Sequence, residues 1–159
     1  MARYILDTGI LLGYVRNAGY VDYVEKRYKV SSSPNTSMAS IVTVGELYAL
    51  AFKFGWGEGK KQKLKAVIAK YPVVNLDNNI VRLYADIDAY SQGKHPELKL
   101  PKGMSARNMG DNDIWIAATG TKMNASLLTA DQDFQHLNDV FLNVIYIDQK
   151  WTGEDAGRL

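Results

Sequence analysis

The sequence predicts a single α/β domain, a mainly parallel sheet flanked by helices on both faces. Three observations predict it. Short apolar runs of the kind buried on both sides of a parallel sheet recur along the chain. Strand-like and helix-like segments alternate from start to end. With 159 residues, 47% of them hydrophobic, the chain can bury one good core but is short for two ordinary domains. The domain is expected to occupy 1–148, with 149–159 a tail.

Arg3-Tyr4-Ile5-Leu6 is the first strand, and it stops at Asp7-Thr8-Gly9. Ligands of open α/β sheets bind beyond the carboxyl ends of strands, so Asp7 stands where chemistry would be placed. A short buried helix follows through Ile10 to Val15, closed by Asn17-Ala18-Gly19, and helical spacing resumes through Gly19 to Tyr28. Ser31 to Asn35 is a loop by composition. Met38 to Thr43, rich in β-branched residues, is the second strand, and Gly45 to Phe52 the next helix, which puts Glu46 in a first helical turn. Gly55 to Gly59 breaks that helix. Lys60 to Tyr71 is helical with Leu64, Val67 and Ile68 inward. Val73 to Leu76 is a strand, and Asp77 caps a helix whose buried stripe is Ile80, Leu83, Tyr84 and Ile87. Ser91 to Met109 is a long exposed loop, of the functional or mobile kind. Gly110 to Asp113 opens the apolar helix Ile114 to Thr119; Ser126 to Thr129 is a strand ending at Asp131 and Asp133; Val144 to Ile147 is the last strand.

Composition narrows the function. The net charge of +2 is too small to announce nucleic-acid binding by itself. Six lysines nevertheless crowd the stretch from Lys53 to Lys70 against one acid, Glu58. They suit either a solvated face or a track for RNA phosphates. The absence of cysteine excludes disulfides and thiolate metal sites and favours a reducing, cytoplasmic setting. Neither a signal peptide nor a membrane-length apolar run is legible.

Asp7, Glu46, Asp113 and Asp131 follow strands or open helices, so a parallel sheet would gather them on one edge. Taken singly, each is explained by helix capping, turn chemistry or the helix dipole. Taken together they repel: two carboxylates ~4 Å apart cost about 4 kcal/mol at an effective dielectric of about 20. Hard cations, Mg²⁺ or Mn²⁺, relieve such a cluster where no thiolate and little imidazole is present. Ions held this way generate a hydroxide nucleophile and stabilise the leaving oxygen of a phosphodiester.

Tyr4-Ile5-Leu6-Asp7-Thr8, Val44-Gly45-Glu46-Leu47, Asn112 to Ala118 and Leu127 to Phe134 together resemble the PIN-domain family, most closely its VapC-type toxin ribonucleases. The resemblance implies a metal-dependent endoribonuclease that cuts RNA and is restrained by a cognate antitoxin protein. It implies that Asp7, Glu46, Asp113 and Asp131 are catalytic metal ligands, with Thr8, Thr129, Asp133 and Asp111 accessory. Gly9 stands where the family usually has a small polar residue, and the 91–109 loop lengthens the chain. Lys94, Lys99, Lys102 and Arg107 of that loop are candidate RNA contacts, because the loop leads to Asp113. A homodimer is a further expectation.

The alternative is a catalytically silent module of the same fold that binds RNA or protein. A haloacid-dehalogenase-type phosphatase would need a second Asp where Gly9 stands, and a phosphorylated receiver domain needs an acid pair and a buried lysine that are not evident. His95 and His136 could form an acid and base pair, although their sequence settings fit structural roles better.

Overall fold

The computed structural model describes residues 1–157; Arg158 and Leu159, the end of the expected tail, lie outside the described residues. Its centre is β1 (Arg3–Leu6), which pairs with β2 (Thr36–Ser40) on one side and β4 (Ser126–Thr129) on the other. β3 (Val73–Val74) and β5 (Val144–Tyr146) form the two edges, giving the order β3-β2-β1-β4-β5 with every pairing parallel. The chain winds outward from β1 to β3 and then crosses to β4 and β5. Strand order therefore reverses between β1 and β4, where an open parallel sheet leaves a crevice at its carboxyl edge.

Alternating side chains divide the core into two layers. Tyr4 and Leu6 of β1 and Leu128 of β4 pack with Ile10, Leu11, Leu47 and Leu64 from α1 (Thr8–Arg16), α3 (Ile41–Lys53) and α4 (Glu58–Ala69), and with Tyr23 of α2 (Gly19–Tyr28). Ile5 and Leu127 face the other way, onto Ile80 and Ile87 of α5 (Asn78–Ser91) and Ile114 and Ile116 of α6 (Asp111–Lys122). Helices thus cover both faces, as the sequence predicts. No helix among the described residues is long and apolar enough to cross a membrane.

The second strand is shifted from its expected place. It ends at Ser40, whose side chain accepts from the Val42 amide and caps α3, so the β-branched Ile41-Val42-Thr43 begins a helix instead of ending a strand. Glu46 consequently lies in the second turn of α3, not in a first turn, and the helix dipole no longer accounts for it.

At Gly13 of α1 an added Cβ would come within 2.4 Å of the Tyr20 hydroxyl, which itself donates to the Gly9 carbonyl at 2.8 Å. Gly13→Ala is expected to destabilise by about 2 kcal/mol through overpacking, outweighing the gain of up to ~1 kcal/mol in helix propensity. A urea titration checks this as a lower midpoint at unchanged slope.

Residues 92–110 form no helix or strand but are tied down at both ends. The His95 ring accepts from the Glu97 and Leu98 amides through Nδ1 and places Nε2 3.2 Å from Asp86. At the far end the Arg107 amide donates to the Ser91 carbonyl, and buried Ser91 meets His136 Nε2 at 2.7 Å. Burial holds His136 down to a pKa of about 4, so it is neutral near pH 7. Both histidines are structural, and they do not form an acid and base pair.

Candidate active site

β1 delivers Asp7 to the crevice as the N-cap of α1, with Oδ1 accepting from the Thr8 amide at 2.8 Å. Oδ2 accepts from the Thr129 hydroxyl at 2.6 Å, which joins the ends of β1 and β4. The Thr129 hydroxyl also accepts from the Asp131 amide at 3.0 Å, and Asp131 in turn accepts from the Asp133 amide at 2.8 Å. On the other side the Thr8 hydroxyl donates to Glu46 Oε1 at 2.7 Å and lies 3.2 Å from the Thr43 hydroxyl. Asp113 comes from the first turn of α6. Two threonines therefore fix the orientation of acids that belong to separate elements.

Asp7, Thr8, Glu46, Asp113 and Asp131 line one cavity of about 240 Å³, together with Gly9, Ala130 and Gln149. Its electrostatics are those of unneutralised negative charge. Asp7 is only 6% exposed, and burial pushes its pKa up to about 6 against the opposing Thr129 and Thr8 hydrogen bonds, with Glu46 and Asp131 adding repulsion. Asp113 is pushed up to about 7, first by burial and then by the charges of Asp7, Asp131, Glu46 and Asp133. Among the described residues no group of three acids or imidazoles closes around a common point as a preformed chelate. The donor set is nonetheless all oxygen, carboxylate and hydroxyl, in a cavity short of positive charge. That set fits a hard divalent cation and does not fit a soft one.

Other sequence candidates fall outside the cavity. Asp111 is exposed and accepts from the Tyr84 hydroxyl at 2.9 Å. Asp133 is exposed and borders a neighbouring cavity of about 290 Å³ with Arg107 and residues 105–109. Lys94 and Lys102 are exposed, and the Lys99 ammonium donates to the His95 carbonyl. Two lining or supporting residues escaped the sequence reading. Thr43 sat inside the misplaced strand. Gln149 lies in the stretch read as tail, yet it lines the acid cavity. Trp151, whose ring packs on Tyr23 at 4.7 Å between centroids, anchors that stretch and was the one available hint.

The family model described as the PIN domain matches residues 4–140. The chain belongs to the PIN-domain family. The match encloses all four cavity acids, while Gln149 lies beyond it. Solved structures share the fold of this PIN domain at low identity. That of VapBC2 from Rickettsia felis bound to a promoter DNA fragment superposes with a TM-score of 0.72 at 20% identity, covering 92% of this chain and 99% of that one. VapBC-1 from nontypeable Haemophilus influenzae gives 0.65 at 22% identity, covering 91% and 97%. PAE2754 from Pyrobaculum aerophilum gives 0.55 at 15% identity, covering 89% and 90%. No curated protein matches the sequence of this PIN domain.

Proposed function

We propose that the protein is a Mg²⁺- or Mn²⁺-dependent endoribonuclease that hydrolyses RNA phosphodiester bonds as the toxin of a toxin–antitoxin pair. The observation that carries this reading is the meeting of Asp7, Glu46, Asp113 and Asp131, from four separate elements, in one cavity of a PIN domain. The toxin role is supported by the structural neighbours, several of which are toxin–antitoxin complexes. A cognate antitoxin and a second copy of the chain are the proposed protein partners, and the cytoplasm the proposed location.

Asp7, Asp113 and Asp131 would hold the metal, with Glu46 a further ligand or the group that orients the attacking water. The bound ion supplies a low-pKa water as nucleophile and charge stabilisation at the leaving oxygen. Thr129 fixes the Asp7 carboxylate, Thr8 fixes Glu46, and Asp133, whose amide donates to Asp131, supports the outer wall. Asp111, turned toward Tyr84, has at most a remote role.

Cleavage of RNA by the wild type in Mn²⁺, lost in Asp7→Asn, is the expected result. Products from neither protein would leave only the silent binding module. Lys94, Lys99, Lys102 and Arg107 are proposed to contact RNA beyond the cavity, and Arg107 lines a neighbouring cavity with Asp133. Neutralising all four is expected to lower the slope of log affinity against log salt by up to about three in a titration of single-stranded RNA. An unchanged slope removes them from the interface.

A further inference from the structure

A groove of about 450 Å³ leaves the acid cavity along α3. Thr8 and Glu46 line both spaces, and the groove continues past Val42, Ala49 and Leu50 to Lys53. Seven helical steps lead from Glu46 to Lys53, about 10 Å of travel. Flanking Lys53 in the chain are two strongly exposed aromatic rings, Phe52 at 76% and Phe54 at 70%. Neither contributes to the core. Just beyond, Lys60 lies over the Trp56 ring at 4.0 Å, and Lys61, Lys63 and Lys65 follow on α4. Among the described residues Lys61 alone of these cations has an acidic partner, Glu58.

Lys53, the first residue of the lysine cluster, therefore lines a groove that shares Thr8 and Glu46 with the acid cavity. We propose that the α3 groove and its Phe52-Lys53-Phe54 end are a binding track for the single-stranded RNA that flanks the cleaved bond, an inference that rests on the ribonuclease reading above. The occupant follows from charge and shape. Lys53 at the end of the groove, followed along the chain by Lys60, Lys61, Lys63 and Lys65 of α4, suits a polyanion. Exposed rings beside cations are the usual platform for unpaired bases, which stack on any aromatic face. Bases held in a duplex cannot reach such rings, so the strand must be unpaired. Phosphates on Lys53 and bases on Phe52 and Phe54 would lead the backbone along the groove to Glu46.

The experiment measures binding of a short fluorescent oligouridylate to the full chain in EDTA, so that no cleavage is required. Phe52→Ser with Phe54→Ser is expected to weaken affinity about tenfold or more, with little change in salt slope. Lys53→Ala is expected to lower the salt slope by about one. Phe52→Tyr with Phe54→Tyr should restore affinity, because stacking survives. Unchanged RNA affinity in all variants overturns the proposal, and a Phe variant that only shifts sedimentation would reassign the surface to contact between protein copies. Wild type that fails to cut in Mn²⁺ yet shows the Lys53-dependent slope would sink the hydrolysis reading and leave the track standing.

Discussion

Asp113→Asn is expected to lower RNA cleavage by about a hundredfold or more while making the metal-free protein more stable near pH 8. The two effects have one cause. Asp113 has little structural duty: its pKa is driven up to about 7 by burial and by the charges of Asp7, Asp131, Glu46 and Asp133. Above that pH its negative charge is held against repulsion. Removing it relieves about 1 kcal/mol, after discounting the shift because the carboxyl is only half-buried and water screens it. In a chain of this size the melting temperature should rise by about 2–4 °C. The same substitution removes a charged oxygen from the proposed metal site, and several kcal/mol of transition-state stabilisation depend on such ions, each ~1.4 kcal/mol being tenfold in rate. A variant that is equally stable and cuts at the wild-type rate would contradict both halves.

The second large effect is on stability as a function of pH. Asp7 and Asp113 titrate at about 6 and about 7 in the folded protein, above their ordinary 3.8. Between about 4 and 7 the native state thus binds more protons than the unfolded chain, and stability must fall as pH rises through that window. His136 acts oppositely. Its pKa falls from 6.5 to about 4 on folding, so its contribution is complete above 6.5 and is lost as pH drops toward 4. Two raised carboxylates against one depressed imidazole leave a net loss of about 2 kcal/mol from pH 4 to 7.5, allowing for the mutual repulsion the two acids share. Thermal melts in EDTA across that range check the sign. Mn²⁺ at a hundredfold excess over its dissociation constant should add about 2.7 kcal/mol near pH 8, above the raised pKa values of both acids. Metal-free melting that rises steadily from pH 5 to 8 would show that the acids do not repel as described.

Much of the architecture could be read before any coordinates because β1 and β4 are short strands with apolar centres that are followed closely by carboxylates. Where local signals competed, the reading slipped. Ile41-Val42-Thr43 has strand composition, and a single serine hydroxyl capping the helix decides otherwise. Asp111 and Asp113 look equivalent in the sequence, yet two steps along a helix rotate a side chain by about 200°. One of them enters the cavity and the other turns to Tyr84. Gln149 reaches the cavity in a segment that Trp151 anchors on Tyr23, and that tryptophan two residues on is the one sign of it in the sequence.

The bond from Thr129 to Asp7 joins positions 122 residues apart. During synthesis Asp7, Glu46 and Asp113 all emerge before β4 exists, so β1 lacks its partner at the crevice and the Asp7 carboxylate lacks the hydroxyl that orients it. Contacts of such long range form late. On the activity proposed above, a nascent chain would lack the bond that orients Asp7 until β4 has emerged, and the message being translated would be spared until then.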